Sequence, residues 1–127
     1  MVGIVRVTSA FLPLLRKSER RPVVINVSSG MGSQALTHDP DRVESGIAAP
    51  LYTASKAAVT MLTTQYAKAL PDVRVNAADP GYTATDFNGM RGTQTVAEGA
   101  DAIVGLATEA PDAGTGRFIG RGGPVAW

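Results

Sequence analysis

Val23-Val24-Ile25-Asn26-Val27, followed at once by Ser28-Ser29, decides the fold. The run is short and nearly continuous in apolar character, the mark of a strand buried on both faces, because a strand with one wet face would alternate. A second run of this kind, Val73-Arg74-Val75-Asn76-Ala77-Ala78, follows a long helical stretch, Leu51–Leu70. That stretch carries Ala, Leu and Met at helical spacing and stops at Pro71-Asp72. Buried strands joined through a helix predict a parallel sheet with helices on both faces.

Outward from this centre the alternation continues. Val2–Lys17 reads as a helix, and Arg20–Pro22 breaks it. Its apolar residues, among them Val2, Ile4, Val5, Val7, Phe11, Leu12 and Leu15, predict a helix covered on most sides, with Met1 already interior to it. Gly30–Pro50 reads as a long polar loop, and Pro80–Gly92 as a second loop. Thr95–Thr108 is a predicted helix, with Thr95 as N-cap and Glu98 at the reciprocal capping-box position. Arg117-Phe118-Ile119 is a short last strand in a glycine-rich tail. Three strands and a helix with nothing before it describe the C-terminal half of a doubly wound, Rossmann-like α/β domain, a single partial domain over residues 1–127.

A chain of 127 residues is long enough to bury a core. Its 12 basic and 11 acidic residues give no electrostatic reason to expect nucleic acid or an anionic membrane as partner. The absence of cysteine excludes disulfides, thiolate catalysis and cysteine-bound zinc, and it suits a reducing cytoplasm. With His38 as the single histidine, no metal site is expected, nor a Ser-His-Asp triad built without it. Met1–Leu15 is apolar, yet Arg6 interrupts it and the basic cluster follows it, the reverse of a signal peptide. It is also too short to span a bilayer.

The chemistry lies at three strand or helix ends. Tyr52-Thr53-Ala54-Ser55-Lys56 opens the central helix and sets a phenol and an ammonium on one helix face. A phenol with a pKa near ~10 is a poor proton shuttle at neutral pH, and an adjacent cation favours its ionised form. Ser28 and Ser29 lie just past the first strand's carboxyl end, where open α/β sheets place ligands. Paired serines there either hydrogen-bond a substrate oxygen or satisfy turn backbone groups. Asp79-Pro80-Gly81-Tyr82-Thr83-Ala84-Thr85 closes the second strand, and Thr83 and Thr85 offer hydroxyls toward the same crevice or serve an ordinary turn and cap. Gly30-Met31-Gly32-Ser33-Gln34-Ala35 fits G-x-G-x-x-A, but a phosphate-binding turn must open a helix. Leu36-Thr37-His38-Asp39-Pro40-Asp41 shows no helical period, so the glycines are read as allowing the chain to turn beside a ligand.

Together these residues resemble the short-chain dehydrogenase/reductase family. Ile25-Asn26-Val27-Ser28-Ser29 is similar to its fifth strand with the catalytic serine, and Tyr52-x-x-x-Lys56 to its signature. Val75-Asn76-Ala77-Ala78-Asp79-Pro80-Gly81 with Thr85 is similar to its sixth strand and P-G-x-x-x-T turn. The resemblance implies a hydride transfer between a nicotinamide and a carbonyl or alcohol, with NAD(P) as cofactor and NADP(H) the favoured form. It implies that Ser29 polarises the carbonyl, that Tyr52 donates or accepts the proton, and that Lys56 supports the phenol and binds the nicotinamide ribose. It further implies that Pro80, Gly81, Thr83 and Thr85 contact the nicotinamide end, and that the substrate is a small carbonyl or alcohol.

The family's T-G-x-x-x-G-x-G turn and N-A-G segment have no match. The 22 residues between Ser29 and Tyr52 exceed the compact members' spacing and resemble the carbonyl-reductase-like branch. Two readings follow: the catalytic portion of a cytoplasmic reductase, or a catalytically inactive remnant acting as an interaction module. Helices 2–17 and 51–70 carry apolar faces through which two copies could pair, or which could pack within one monomer.

Overall fold

A computed structural model describes residues 2–127, so the expectation for Met1 lies outside the described residues. The chain runs α1 (Val2–Leu15), β1 (Val23–Val27), α2 (Gln34–His38), α3 (Pro50–Ala69), β2 (Arg74–Asp79), α4 (Val96–Thr108), β3 (Phe118–Gly120) and β4 (Gly123–Pro124). Short 3₁₀ turns occupy Gly30–Gly32, Val43–Gly46 and Asp86–Asn88. The four strands form one sheet in the order β1-β2-β3-β4. The first three are parallel, with Val24 opposite Val75 and Ala77 opposite Phe118. β4 returns antiparallel to β3.

Alternation along each strand distributes side chains to two helical layers. On one face Val24, Val73 and Val75 pack against Leu12 of α1 and Tyr66, Ala67 and Leu70 of the α3 end. On the other, Ile25, Ala78 and Ile119 meet Ala102, Ile103 and Leu106 of α4. The β2 strand is therefore enclosed, as its apolar run requires. Asn26 and Asn76 interrupt the apolar pattern without being left bare: Asn26 donates to the Thr63 hydroxyl at 2.9 Å, and Asn76 bridges Gly114 and Arg117.

Local chemistry sets the helix ends. Pro50 opens α3, where its missing N–H removes nothing. Thr95 and Glu98 form the expected capping box, the Thr95 hydroxyl accepting from the Glu98 amide and the Glu98 carboxylate from the Thr95 amide. Asp72, just past α3, accepts from Arg16 at 2.7 Å, which holds its carboxyl below the usual range. This pair fastens the α1 exit to the α3 exit.

Two expectations need correction. Gly30–Pro50 is not loop throughout, since Gln34–His38 is helical and the Ser33 hydroxyl caps it by accepting from the Leu36 amide at 3.0 Å. Nor is α1 covered on most sides. Val2, Val5, Val7, Phe11 and Leu14 are exposed, and Thr8 is its only buried residue among those described. Helix α1 lies along β1, whose outer edge has no strand beside it among the described residues, and reaches the β2 core through Leu12. A cleft of about 480 Å³ runs there between Ile4, Val7, Phe11 and Leu15 and the strand. No helix among the described residues is long and apolar enough to cross a membrane.

Candidate active site

Parallel strands β1 and β2 end side by side, and the loops that leave them carry most of the candidate residues. The turn after β1 is stitched to α3 by three contacts. The Ser28 hydroxyl donates to the Lys56 carbonyl at 3.2 Å, the Thr60 hydroxyl to the Gly32 carbonyl at 3.3 Å, and the Lys56 ammonium to the Val27 carbonyl at 3.1 Å. Gly32 is the residue that permits this. A β-carbon there would fall 2.7 Å from the Lys56 carbonyl carbon, so glycine serves close packing against α3 and not a turn beside a ligand.

The two serines divide their work. Ser28 is fully buried and spent on structure, its amide donating to Ala78 and its hydroxyl to Lys56. Ser29 is half-buried, and its oxygen accepts from the Met31 amide at 3.2 Å. No hydrogen bond among the described residues uses the Ser29 hydroxyl proton, which is the group a carbonyl oxygen would need.

Tyr52 and Lys56 share one face of α3, with the ammonium 5.7 Å from the centre of the phenol ring. Tyr52 is 41% exposed, and its hydroxyl bonds nothing among the described residues. The ammonium thus has one fixed acceptor, Val27, and two donors left to offer. Ser29 and Tyr52 are not hydrogen-bonded to each other, although the elements bearing them are fastened together.

The loop after β2 is set by its own backbone. Gly81 takes φ +70°, and its amide donates to Asp79 at 3.0 Å. Thr83 turns inward: its hydroxyl donates to the Pro80 carbonyl at 3.2 Å and its methyl lies against Gly99 of α4. Thr85 starts the Asp86–Asn88 turn, with its amide donating to the Asn88 side chain at 3.2 Å. Pro80, Gly81 and Thr85 thus belong to the loop leaving β2, which Thr83 braces against α4.

One residue at this site carried no signal in the sequence. Glu44, from the loop between Ser29 and Tyr52, reaches back to Gly30, where a β-carbon would stand 2.6 Å from its Oε1 and 3.3 Å from Asp79 Oδ2. Its Oε1 accepts from Arg42 at 3.3 Å, and its Oε2 is buried with no partner among the described residues. An acid among loop acids looks solvated until its contact with Gly30 is seen.

The residues present suit the nicotinamide end of a dinucleotide. Lys56 has ammonium donors to spare, and Gly81 in the turn after β2 is exposed. They do not suit its phosphates, because the only helix opened by a glycine-rich turn after a strand among the described residues is α2, of five residues.

Comparison with known proteins bears on this geometry. The family model described as short chain dehydrogenase matches residues 1–95. The chain is 37% identical over 114 residues to the short-chain dehydrogenase anuI of Penicillium roqueforti, covering 84% of this chain and 44% of that protein. It is 30% identical over 152 residues to a (+)-neomenthol dehydrogenase of Capsicum annuum, covering 94% and 48%. Among solved structures, NADPH-bound carbonyl reductase from chicken fatty liver superposes with a TM-score of 0.83 at 26% identity, over 100% of this chain and 54% of that one. Salutaridine reductase from Papaver somniferum gives 0.74 at 28% identity, over 91% and 50%. The chain spans about half the length of the curated relatives it matches. On the match over residues 1–95 and these identities, the chain belongs to the short-chain dehydrogenase family, a family of oxidoreductases with a Rossmann-like fold.

Proposed function

We propose that the chain supplies the catalytic residues of an NAD(P)-dependent reductase acting on a carbonyl or alcohol, with NADP(H) as the favoured cofactor. The observation that carries this reading is the free Tyr52 phenol beside a Lys56 ammonium that is anchored on Val27. When bound, the nicotinamide supplies or takes the hydride. Ser29 donates its unused hydroxyl proton to the carbonyl oxygen and holds it next to Tyr52. Tyr52 hands its proton to that oxygen in reduction and receives it in oxidation. Lys56 keeps positive charge beside the phenol and offers its remaining donors to the ribose. Pro80, Gly81 and Thr85 border the nicotinamide, and Thr83 holds their loop in shape. A cytoplasmic location belongs to the same reading and rests on the cysteine-free composition.

The test is NADPH oxidation by purified protein with a panel of aldehydes and ketones, Tyr52→Phe serving as control. Turnover that vanishes in the variant supports the reading, and near-normal kcat in Tyr52→Phe sinks it.

A second reading, an inactive interaction module, draws on the unpaired β1 edge and the apolar cleft beside α1. An open edge invites another strand. Pairing of two copies through α1 and α3 is part of this alternative, and Met61 on α3 is exposed as it would require. Detectable turnover by the 127-residue chain itself would count against it, because that chain lacks a phosphate-binding turn. Reading the coding DNA in frame upstream of the Met1 codon separates the two further: a glycine-rich turn there favours the reductase.

A further inference from the structure

The glycine-rich tail makes contacts that the proposed chemistry leaves unused. Pro124 pairs with Ile119, and the Val125 amide donates to the Phe118 carbonyl at 2.9 Å, so the tail doubles back along β3. Trp127 then sets its ring against that of Phe118, with centroids 5.5 Å apart and planes tilted by 34°. Phe118 is buried and gives the indole a fixed base. Past this stack, the Trp127 carbonyl oxygen accepts from the Ala35 amide of α2 at 3.0 Å. The tail therefore joins β3 to the segment that follows β1, although β2 lies between those strands in the sheet.

The segment it reaches runs between the two proposed catalytic residues, Ser29 before it and Tyr52 after it. None of residues 34–49 is buried, and neither α2 nor the Val43–Gly46 turn adds to the core. At its two junctions the segment bonds its chain neighbours, Ser33 at the start and Thr53 at the end. Among the described residues, Ala35 alone in this segment is hydrogen-bonded to a distant part of the chain, and its acceptor is Trp127. Glu44 adds a side-chain contact against Gly30. A stretch with so few fastenings opens at small free-energy cost unless something holds it.

Resting on the reductase reading, we infer that Trp127 is a positioning residue: it latches residues 34–49 to the body of the domain and thereby fixes the segment that joins Ser29 to Tyr52. The Phe118 stack orients the tail, and the carbonyl of the same residue holds α2 by its first turn. Trp127 acts through Ala35, so its loss is felt in how well a substrate is held beside Ser29 more than in the proton transfer from Tyr52.

Trypsin reads the latch directly, because Arg42 is the only lysine or arginine between Arg21 and Lys56. Cleavage of the Arg42–Val43 bond reports opening of the segment, and cleavage after Arg74, buried in β2, reports loss of the whole fold. In Trp127→Ala the Arg42 cut is expected at least about tenfold faster than in the parent, with the Arg74 cut unchanged. Trp127→Phe keeps both the ring and the carbonyl and should stay within about threefold of the parent. The reverse coupling is read without touching Trp127. Ser33→Ala removes the hydroxyl that caps α2, and the emission of Trp127, the single tryptophan, should shift to the red and quench more readily with iodide. An unchanged Arg42 cut, an equal acceleration after Arg74, or an unmoved emission in Ser33→Ala overturns the latch. With NADPH and an aldehyde panel, Trp127→Ala should raise KM about five- to tenfold and leave kcat within about twofold. Parental KM in a variant whose segment has opened overturns the positioning role. Should the cleavage pattern hold while the parent turns over no carbonyl, the hydride-transfer reading fails and the latch stands.

Discussion

Gly32 lies flat against the backbone of Lys56, with room for no β-carbon between them. The turn after β1 and the helix bearing the phenol are thus fixed to each other by an absent side chain as much as by hydrogen bonds. Gly32→Ala would put a methyl 2.8 Å from the Lys56 carbonyl oxygen, against backbone that cannot step aside. The expected cost is about 2 kcal/mol, within the range of overpacked cores, read as a lower denaturation midpoint in urea. Any turnover should fall more than the folded fraction does, because Ser29 moves relative to Tyr52. A midpoint equal to the parent's would show that the two backbones are not in contact.

Tyr52→Phe removes one exposed hydroxyl and no packing. Stability should change by no more than about 0.5 kcal/mol, and cofactor affinity should stay near its parent value. The rate should fall by about 10²–10⁴, the usual contribution of a positioned proton donor. Measuring kcat and the NADPH dissociation constant on the same preparation distinguishes loss of chemistry from loss of binding.

Asn26 and Thr63 form a buried side-chain pair across β1 and α3. Thr63→Val strands the Asn26 amide, at a cost of about 1–3 kcal/mol. The double variant Asn26→Leu, Thr63→Val leaves no polar group unpaired and should recover much of that loss. A thermodynamic cycle on the four proteins tests this, and strictly additive penalties would refute a coupled pair.

How far the sequence revealed this depended on whether a feature repeats. Both strands were legible as short, mostly apolar runs, yet only Arg74–Asp79 is enclosed; Val23–Val27 is half-buried with Val27 exposed, so its expected burial on both faces does not hold. Tyr52 and Lys56 were legible because their spacing matches a helix turn. Helix α2 was not, since Gln34–His38 is barely longer than one turn and cannot display a period. The two residues of β4 have no pattern at all and exist only as partners of Ile119 and Gly120. The apolar residues of α1 were visible, but periodicity records which side chains avoid water and not what stands beside them. Glu44 joins the site through one tertiary contact with Gly30. No spacing rule could have found it.

Glu109 is shared by two arginines. Its carboxylate accepts from Arg74 at 3.2 Å and from both Arg117 nitrogens, and Arg74 is almost wholly buried. The Arg117 hydrogen bond, opposed by partial burial and aided by both positive charges, holds the Glu109 carboxyl below its ordinary 4.5. A lowered folded value means that this stability is present above the ordinary value and is lost as pH falls through the folded one. Thermal midpoints should therefore drop from pH 5 to pH 3 more steeply in the parent than in Glu109→Gln. At pH 7 that variant should be less stable by about 2 kcal/mol, below the figure for a fully buried pair because Glu109 is partly exposed. Parallel pH profiles for the two proteins would rule out a structural role for the carboxylate.

The register that joins Val23 to Arg74 has a consequence in time. Strand β1 finds its neighbour about 50 residues later in the chain, and its outer edge has none within the described residues. At a translation speed of about 5–20 residues per second, the strand leaves the ribosome roughly 3–10 s before β2 does. During that interval an apolar strand waits for β2, and long-range parallel pairing is slow to form once it can begin. The β1–β2 ladder thus cannot form until α3 has been made, and the nascent chain, more than the finished protein, is where chaperone dependence and aggregation of this fold should be sought.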